Sequence, residues 1–213
     1  MKNAPTQRDR ALSLLQKQGM VRLAEFGTAG ITAATIVRME KGGELDRIGR
    51  GLYRLAGQSA DANHDLALVA KMVPGSVVCL VSALAFHELT DTIPSRIWIA
   101  IGSKDRKPVV KQPALQIVRF APEMLRSGIA HHLIDGVDVA ITTPARTVVD
   151  LFRYRAPAGR RFQKSPGLNL ALEGLREVLR SRKATPSQIA QIAETLGVWK
   201  AMRPYLEAMT ANA

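Results

Sequence analysis

The chain has 213 residues, 46% of them apolar and 23% charged, which is typical of a globular protein with one large domain or two small ones. Its 30 Lys and Arg against 18 Asp and Glu give a formal net charge of +12, which indicates a polyanionic partner, either nucleic acid or an anionic membrane surface. A membrane is disfavoured, because the longest apolar run, residues 77–86, is about half the roughly 20 residues that a spanning helix needs. The N-terminus lacks a signal-peptide pattern, and the single cysteine excludes an intramolecular disulfide and a Cys-rich zinc site, so we expect a soluble cytoplasmic protein.

The positive charge is concentrated at the two ends of the chain. Residues 1–57 carry ten basic and five acidic residues, residues 58–152 carry nine of each, and residues 153–213 carry eleven basic and four acidic residues. We predict three segments with these bounds, in which the basic ends contact the polyanion and the neutral middle packs or contacts protein. A surplus of charge that only keeps the protein soluble is the alternative.

The first segment is predicted to form three short helices followed by a two-stranded hairpin. The first helix is capped by Thr6 and ends at Gly19, and the second covers residues 23–28. Thr32 caps the third, which runs through Lys41. The hairpin strands are residues 44–48 and 52–55, and the glycine-rich tip 49–51 joins them.

The middle segment mixes helices and strands. Residues 77–81 are β-branched and apolar, and they fit either a buried strand or the start of a buried helix. Ser82 is expected to cap the helix that follows, and Asp135-Gly136 is a strong hairpin signal. The predicted helices are 65–72, 82–89 and 144–152, and the predicted strands are 96–101, 115–120, 129–134 and 137–141.

The last segment is predicted to be helical after a basic connection. Residues 153–167 contain Pro157, Gly159 and Pro166, which favours a loop or linker. Helices are predicted at 168–181, at 186–196 and after Trp199. The predicted fold class is therefore α+β, with an N-terminal winged helix-turn-helix, a mixed α/β domain and a C-terminal helical segment.

A winged helix-turn-helix in a basic segment indicates binding to double-stranded DNA. The major groove admits one α-helix, and residues near the start of that helix reach base edges, so the third helix is the expected reader. Its small first residues permit close approach, Arg38 is the expected donor to a base or phosphate, and Arg50 is presented at the glycine-rich wing tip. The expected DNA-binding positions are Arg8, Arg10, Arg22, Thr32, Ala33, Thr35, Arg38, Lys41, Arg47, Arg50 and Arg54. A winged helix that binds protein instead is the alternative.

A second basic patch lies in the connection before the last helices. Basic residues interleaved with aromatic ones suit a phosphate backbone or RNA, although a solvated linker or contact with an acidic partner remains open. This patch consists of Arg153, Arg155, Arg160, Arg161 and Lys164.

The candidates for catalysis or metal binding have simpler interpretations. His87 has no second ligand at helical spacing, and Cys79 lies in an apolar run and is expected to be buried and inert. Arg146 and Asp150, four residues apart on one helix, are expected to form an ordinary surface or half-buried pair. We therefore expect no enzyme activity, no metal and no cofactor. An unrecognised nuclease or transferase is the alternative from another class of function.

Four stretches of the sequence resemble the AbiEi family of antitoxins from type IV toxin–antitoxin (abortive infection) systems. They are residues 43–55 (GELDRIGRGLYRL), 82–90 (SALAFHELT), 96–100 (RIWIA) and 142–151 (TTPARTVVDL), and they occur in the order of the family. The resemblance covers about residues 6–152. It implies a winged helix that represses its own operon, a following domain that counters the toxin, and a cognate nucleotidyltransferase-like toxin encoded next door. A stand-alone winged-helix regulator is the alternative, and the sequence leaves the operator and the oligomeric state open.

Overall fold

The structure is a computed structural model, and it describes residues 4–59, 61–155 and 165–211. The chain divides into two compact units. The first contains residues 1–72 and 132–139, and the second contains residues 73–131 and 140–213. The division into three functional segments stays a prediction.

The first unit is a winged helix, as predicted. Two antiparallel pairings give its sheet the strand order β1-β3-β2, in which the short strand β1 was not foreseen. The elements are α1 (Gln7–Gln18), β1 (Met20–Arg22), α2 (Leu23–Thr28), α3 (Ala33–Lys41), β2 (Leu45–Gly49), β3 (Leu52–Leu55) and α4 (His64–Met72).

Local signals explain why this segment folds as it does. Thr6 and Asp9 form a capping box at the start of α1, and Gly19 ends that helix with a φ of 64°. The apolar stripes of the three helices meet the wing in one core, where Phe26 and Tyr53 pack edge to face with ring centroids 6.3 Å apart.

Residues 132–139 of the first unit contact the start of α4 and the end of α1. Asp135 Oδ2 lies 2.5 Å from His64 Nδ1, and Asp135 Oδ1 accepts a hydrogen bond of 3.1 Å from the Asp61 N–H. A Cβ on Gly19 would lie 1.5 Å from the Asp135 carbonyl oxygen, so this approach requires glycine.

The second unit is a mixed α/β fold with a helical C-terminal part, again as predicted. Its five-stranded sheet has the order β6-β5-β4-β8-β7, in which β4 pairs antiparallel with β5 and parallel with β8, and β5 and β6 are parallel. The tip of the hairpin β7–β8 is counted in the first unit. The elements are β4 (Val77–Val78), α5 (Leu80–Phe86), β5 (Ile97–Gly102), β6 (Leu115–Phe120), a 3-10 turn (Pro122–Leu125), β7 (Ile129–Ile134), β8 (Val137–Thr142), α6 (Pro144–Arg153), α7 (Leu168–Arg180), α8 (Pro186–Thr195) and α9 (Trp199–Thr210).

The prediction that Ser82 caps a helix from 82 to 89 is wrong. The run 77–81 combines both open alternatives, because strand β4 ends at Val78 and α5 begins at Leu80. Ser82 therefore lies inside the helix, where its buried hydroxyl accepts a hydrogen bond of 2.9 Å from the Trp98 N–H. The helix also ends earlier, at Phe86, and Glu88 takes a φ of 55° soon after it.

Candidate nucleic-acid interface

Helix α3 is held in place by a capped start and a narrow apolar stripe. The Thr32 hydroxyl accepts from the Thr35 N–H, which satisfies one of the unpaired backbone donors at the helix start. Ile36 and Met39 are the buried residues of α3, with Ile36 fully buried and Met39 3% exposed. The rest of the helix is thereby left for contacts outside the core.

Gln7, at the start of α1, fixes the start of α3. Its Oε1 accepts hydrogen bonds from the Thr32 N–H at 3.0 Å, the Thr32 hydroxyl at 3.0 Å and the Thr35 hydroxyl at 2.8 Å. The partners lie 25 and 28 positions away in the sequence. Sequence reasoning missed this residue because no local pattern reveals such a contact. Thr32 and Thr35 accordingly position the reader helix, and their contact with DNA stays a prediction.

The outward face of α3 carries small, apolar and basic side chains. Ala33, Ala34, Arg38 and Lys41 are exposed, as the helical periodicity predicts. Val37, which was not among the expected contacts, is 41% exposed on this helix. Within the described residues, no carboxylate pairs with Arg38 or Lys41.

The wing presents an arginine at a tight glycine turn. Arg50 is exposed between β2 and β3, and Gly51 has a φ of 65°, which favours glycine. A Cβ on Gly49 would lie 2.9 Å from Met72 Cε, so this side of the hairpin packs closely. Arg47 is exposed, and its Nε donates to the Gly49 carbonyl at 3.4 Å. Among the residues described, Arg50 has no acidic partner.

Four other expected DNA contacts already have partners within the first unit. Arg8 forms a salt bridge of 2.7 Å with Glu44, and the Glu44 carboxylate raises the pKa of Arg8. Arg54 Nε lies 3.5 Å from an Asp46 oxygen. The other two donate to backbone carbonyls, Arg10 to Ala29 and Gly30 and the half-buried Arg22 to Lys71.

These contacts separate the basic residues of the winged helix into two groups. Arg8, Arg10, Arg22, Arg47 and Arg54 already contact other groups of the first unit, and a role in phosphate binding stays a prediction for them. We call the exposed cations of α3 and of the wing tip that have neither an acidic nor a backbone partner among the described residues the open cations; they are Arg38, Lys41 and Arg50.

The second basic patch is only partly described. Arg153 Nη1 lies 3.5 Å from the Leu196 carbonyl oxygen, and Arg155 Nη1 donates to the Phe152 carbonyl at 2.5 Å. Arg160, Arg161 and Lys164 lie outside the described residues.

The residues weighed for catalysis have structural partners in the second unit. His87 Nε2 lies 2.7 Å from the Thr142 carbonyl oxygen, and complete burial raises the pKa of the Cys79 thiol well above its usual value. The part of the chain that the structure describes contains no cluster of three or more His, Cys, Asp and Glu suited to a metal ion.

Arg146 and Asp150 correct a sequence expectation. They are four residues apart and paired, with Arg146 Nε donating to Asp150 Oδ2 at 2.9 Å, but they are buried rather than at the surface. The Arg146 side chain is 1% exposed and that of Asp150 is inaccessible. Nη1 of Arg146 also donates to the Ser127 carbonyl at 2.7 Å, and the guanidinium carbon lies 5.3 Å from the centre of the Phe120 ring. Burial raises the pKa of Asp150 to about 6, against the opposing effect of Arg146.

The first unit has the fold of a winged helix, and its open cations lie on α3 and at the wing tip. Residues 9–56 match the model of a family described as "Transcriptional regulator, AbiEi antitoxin". This match confirms, for that segment, the resemblance predicted from the sequence, and the family is one of regulators rather than enzymes.

A solved structure supports the fold over the rest of the chain. The crystal structure of the RV2827C protein from Mycobacterium tuberculosis has a TM-score of 0.59 with this chain and is 14% identical to it. The alignment covers 99% of this chain and 79% of that chain. No curated protein matches the chain. Within the described residues, no helix is both long enough and apolar enough to cross a membrane.

Proposed function

We propose that the protein is an antitoxin that binds operator DNA through its winged helix, represses its own operon and counteracts a nucleotidyltransferase-like toxin. The observation that carries the proposal is the set of open cations within or beside α3 and at the wing tip, in a segment that matches a transcriptional-regulator family. A cation without an internal partner exchanges only water and counterions when it meets a phosphate or a guanine, so binding breaks no contact of the fold.

The two parts of the winged helix take different roles in this proposal. The first turns of α3 enter the major groove, where Arg38 donates to a guanine edge or to a phosphate. The wing brings Arg50 to the backbone or into a minor groove, and this contact is independent of sequence. Arg38 therefore contributes to specificity if its partner is a guanine, and Arg50 contributes to affinity for any duplex.

The first prediction concerns Arg38 and Arg50. Arg38→Ala is expected to weaken operator binding by roughly 5- to 150-fold and to reduce discrimination against a scrambled duplex. Arg50→Ala is expected to weaken both duplexes equally and to lower the slope of log affinity against log salt by about one. The measurement is fluorescence anisotropy of the full chain with the promoter fragment of its own gene, repeated over a salt series.

The control is Arg180→Ala, because Arg180 is also exposed to solvent but lies in α7 and pairs with Glu177. It should bind both duplexes as the unchanged chain does. Wild-type binding by both Arg38→Ala and Arg50→Ala would show that the winged helix does not read DNA with this face. In that case a protein-binding role for the winged helix becomes the better explanation.

The antitoxin part of the proposal rests on the family description, and the nucleotidyltransferase-like toxin rests on the resemblance of the sequence to the AbiEi family. A nucleotidyltransferase gene adjacent to the gene of this protein favours the antitoxin, and a solitary gene favours a stand-alone regulator. The second basic patch, Arg153 to Lys164, is proposed to contact DNA, RNA or the toxin. An enzyme is disfavoured because His87 and Cys79 are engaged or buried in the fold.

A further inference from the structure

Val37 is an exposed apolar side chain on the helix proposed to enter the major groove. Among the large hydrophobic residues of the described segment 4–59, Val37 alone is highly exposed, at 41%. Ala33 lies four positions before it and Ala34 three, so the three side chains share one stretch of helix surface. Both alanines are exposed. The result is a small apolar patch that the core of the winged helix does not use.

The neighbours of this patch restrict what can cover it. Arg38 follows Val37 directly and Lys41 lies one helical turn further on, both exposed and without an acidic partner among the described residues. A partner must therefore offer apolar groups and negative charge on the same surface. The major groove does so, because the C5-methyl groups of thymine project into it between two rows of phosphates.

The chemistry of valine limits which feature of a base the side chain can recognise. Valine has no donor or acceptor, so the base feature that it can distinguish is a methyl group. In a helix its χ1 angle is restricted to one strongly preferred rotamer, which fixes both methyls before binding and lowers the entropic cost of contact. Ala33 and Ala34 have no long side chains that would hold the helix away from the bases.

We propose that Val37, with Ala33 and Ala34 beside it, determines operator specificity by contacting thymine methyl groups. This inference rests on the proposed function and adds to it the identity of a base that the helix reads. It divides the reading face into an apolar part that selects thymine and a basic part that binds guanine or phosphate.

The test replaces each thymine of the footprinted operator by deoxyuridine, one position at a time. This change removes the C5-methyl group and leaves all hydrogen-bonding groups of the base in place. At one or two positions the full chain is expected to lose about three- to tenfold in affinity, as expected for one buried methyl. Val37→Ala is expected to bind the thymine operator more weakly by a similar factor and to be indifferent to deoxyuridine at those positions.

Val109→Ala is the matched control, because Val109 is 96% exposed but lies outside the winged helix. It should keep the wild-type response to deoxyuridine. Operator binding that ignores every deoxyuridine substitution would overturn this inference and leave the proposed function standing. Unchanged sensitivity in Val37→Ala would overturn it as well, because another residue would then contact the methyl groups. Absence of any binding to the operator would overturn the proposed function together with this inference.

Discussion

Helices α3 and α6 are each capped by the threonine that precedes them, Thr32 and Thr143. In both cases the threonine hydroxyl accepts a hydrogen bond from a backbone N–H three residues on. Beyond the cap their environments differ. Helix α3 buries two of its nine residues, whereas every residue of α6 from 145 to 152 is buried. One helix is open for binding, and the other forms the centre of its own unit.

The arginines of the two helices follow this difference. Arg38 on α3 is exposed and has no acidic partner among the described residues, while Arg146 on α6 contacts a carboxylate, a carbonyl and an aromatic ring. An exposed guanidinium is available to a polyanion, and a buried one is committed to the fold because its desolvation must be offset by internal contacts. The same residue type is therefore exposed in one unit, where we propose that it binds DNA, and contributes to the fold in the other.

The largest expected effect comes from breaking the buried pair. Arg146→Ala removes the countercharge of Asp150, leaves the Ser127 carbonyl without this donor and opens a cavity beside Phe120. The free energy of unfolding is expected to fall by about 3–5 kcal/mol. Urea unfolding followed by tryptophan fluorescence measures it, since both tryptophans, Trp98 and Trp199, lie in the second unit.

Arg180→Ala is again the control, because it breaks an exposed pair in the same unit. Its free energy of unfolding should match that of the unchanged chain. If Arg146→Ala lost less than about 1 kcal/mol, the buried pair would not be a stabilising contact of α6.

Another prediction concerns the pH dependence of the same pair. An aspartate in the unfolded chain has a pKa of about 4, whereas burial raises the pKa of Asp150 in the folded chain to about 6. In that interval the folded chain keeps a proton that the unfolded chain has lost. Asp150 therefore makes its full contribution to the free energy of unfolding below a pH of about 4. This contribution falls by roughly 3 kcal/mol as the pH rises to about 6.

Asp150→Asn isolates this effect because asparagine does not titrate. The free energy of unfolding of the wild type minus that of the variant is expected to decrease between pH of about 4 and 6 and to level off above it. A difference that rises with pH would show that Arg146 outweighs burial and lowers the pKa of Asp150.

The elements of both units could be predicted where the signal is local. The Thr6 and Thr32 caps and the hairpin turn at Asp135-Gly136 occur where the sequence indicates. The outward face of α3 follows from helical periodicity. Each of these features depends on residues within a few positions of one another.

The errors arise from contacts between residues far apart in the sequence. Ser82 resembles a cap, but its partner, Trp98, lies 16 positions later in a neighbouring strand. The spacing of Arg146 and Asp150 predicts a pair, but their burial depends on how the second unit packs around α6. The contact of Arg22 with the Lys71 carbonyl, 49 residues away, was not foreseen either, and its contact with phosphate stays a prediction.

The smallest expected effect tests how firmly the open helix α3 is held. Gln7→Ala removes the acceptor shared by the Thr32 N–H and the hydroxyls of Thr32 and Thr35. These donors are exposed or half-buried, so water replaces the lost acceptor and the free energy of unfolding should fall by only about 1 kcal/mol. Far-UV circular dichroism during urea unfolding measures this loss.

Gln7→Glu separates positioning from charge at the same residue. The glutamate keeps an acceptor oxygen for the three donors and places a negative charge in the first turn of α1, where the helix dipole favours it. Its stability should match the wild type, while the new charge beside α3 should weaken operator binding and make the weakening smaller at high salt. If Gln7→Ala bound the operator as the wild type does and Gln7→Glu did so as well, the start of α3 would lie away from DNA. The wing would then be the better candidate for the DNA-binding surface, because Gln7 holds the start of α3 and does not position Arg50.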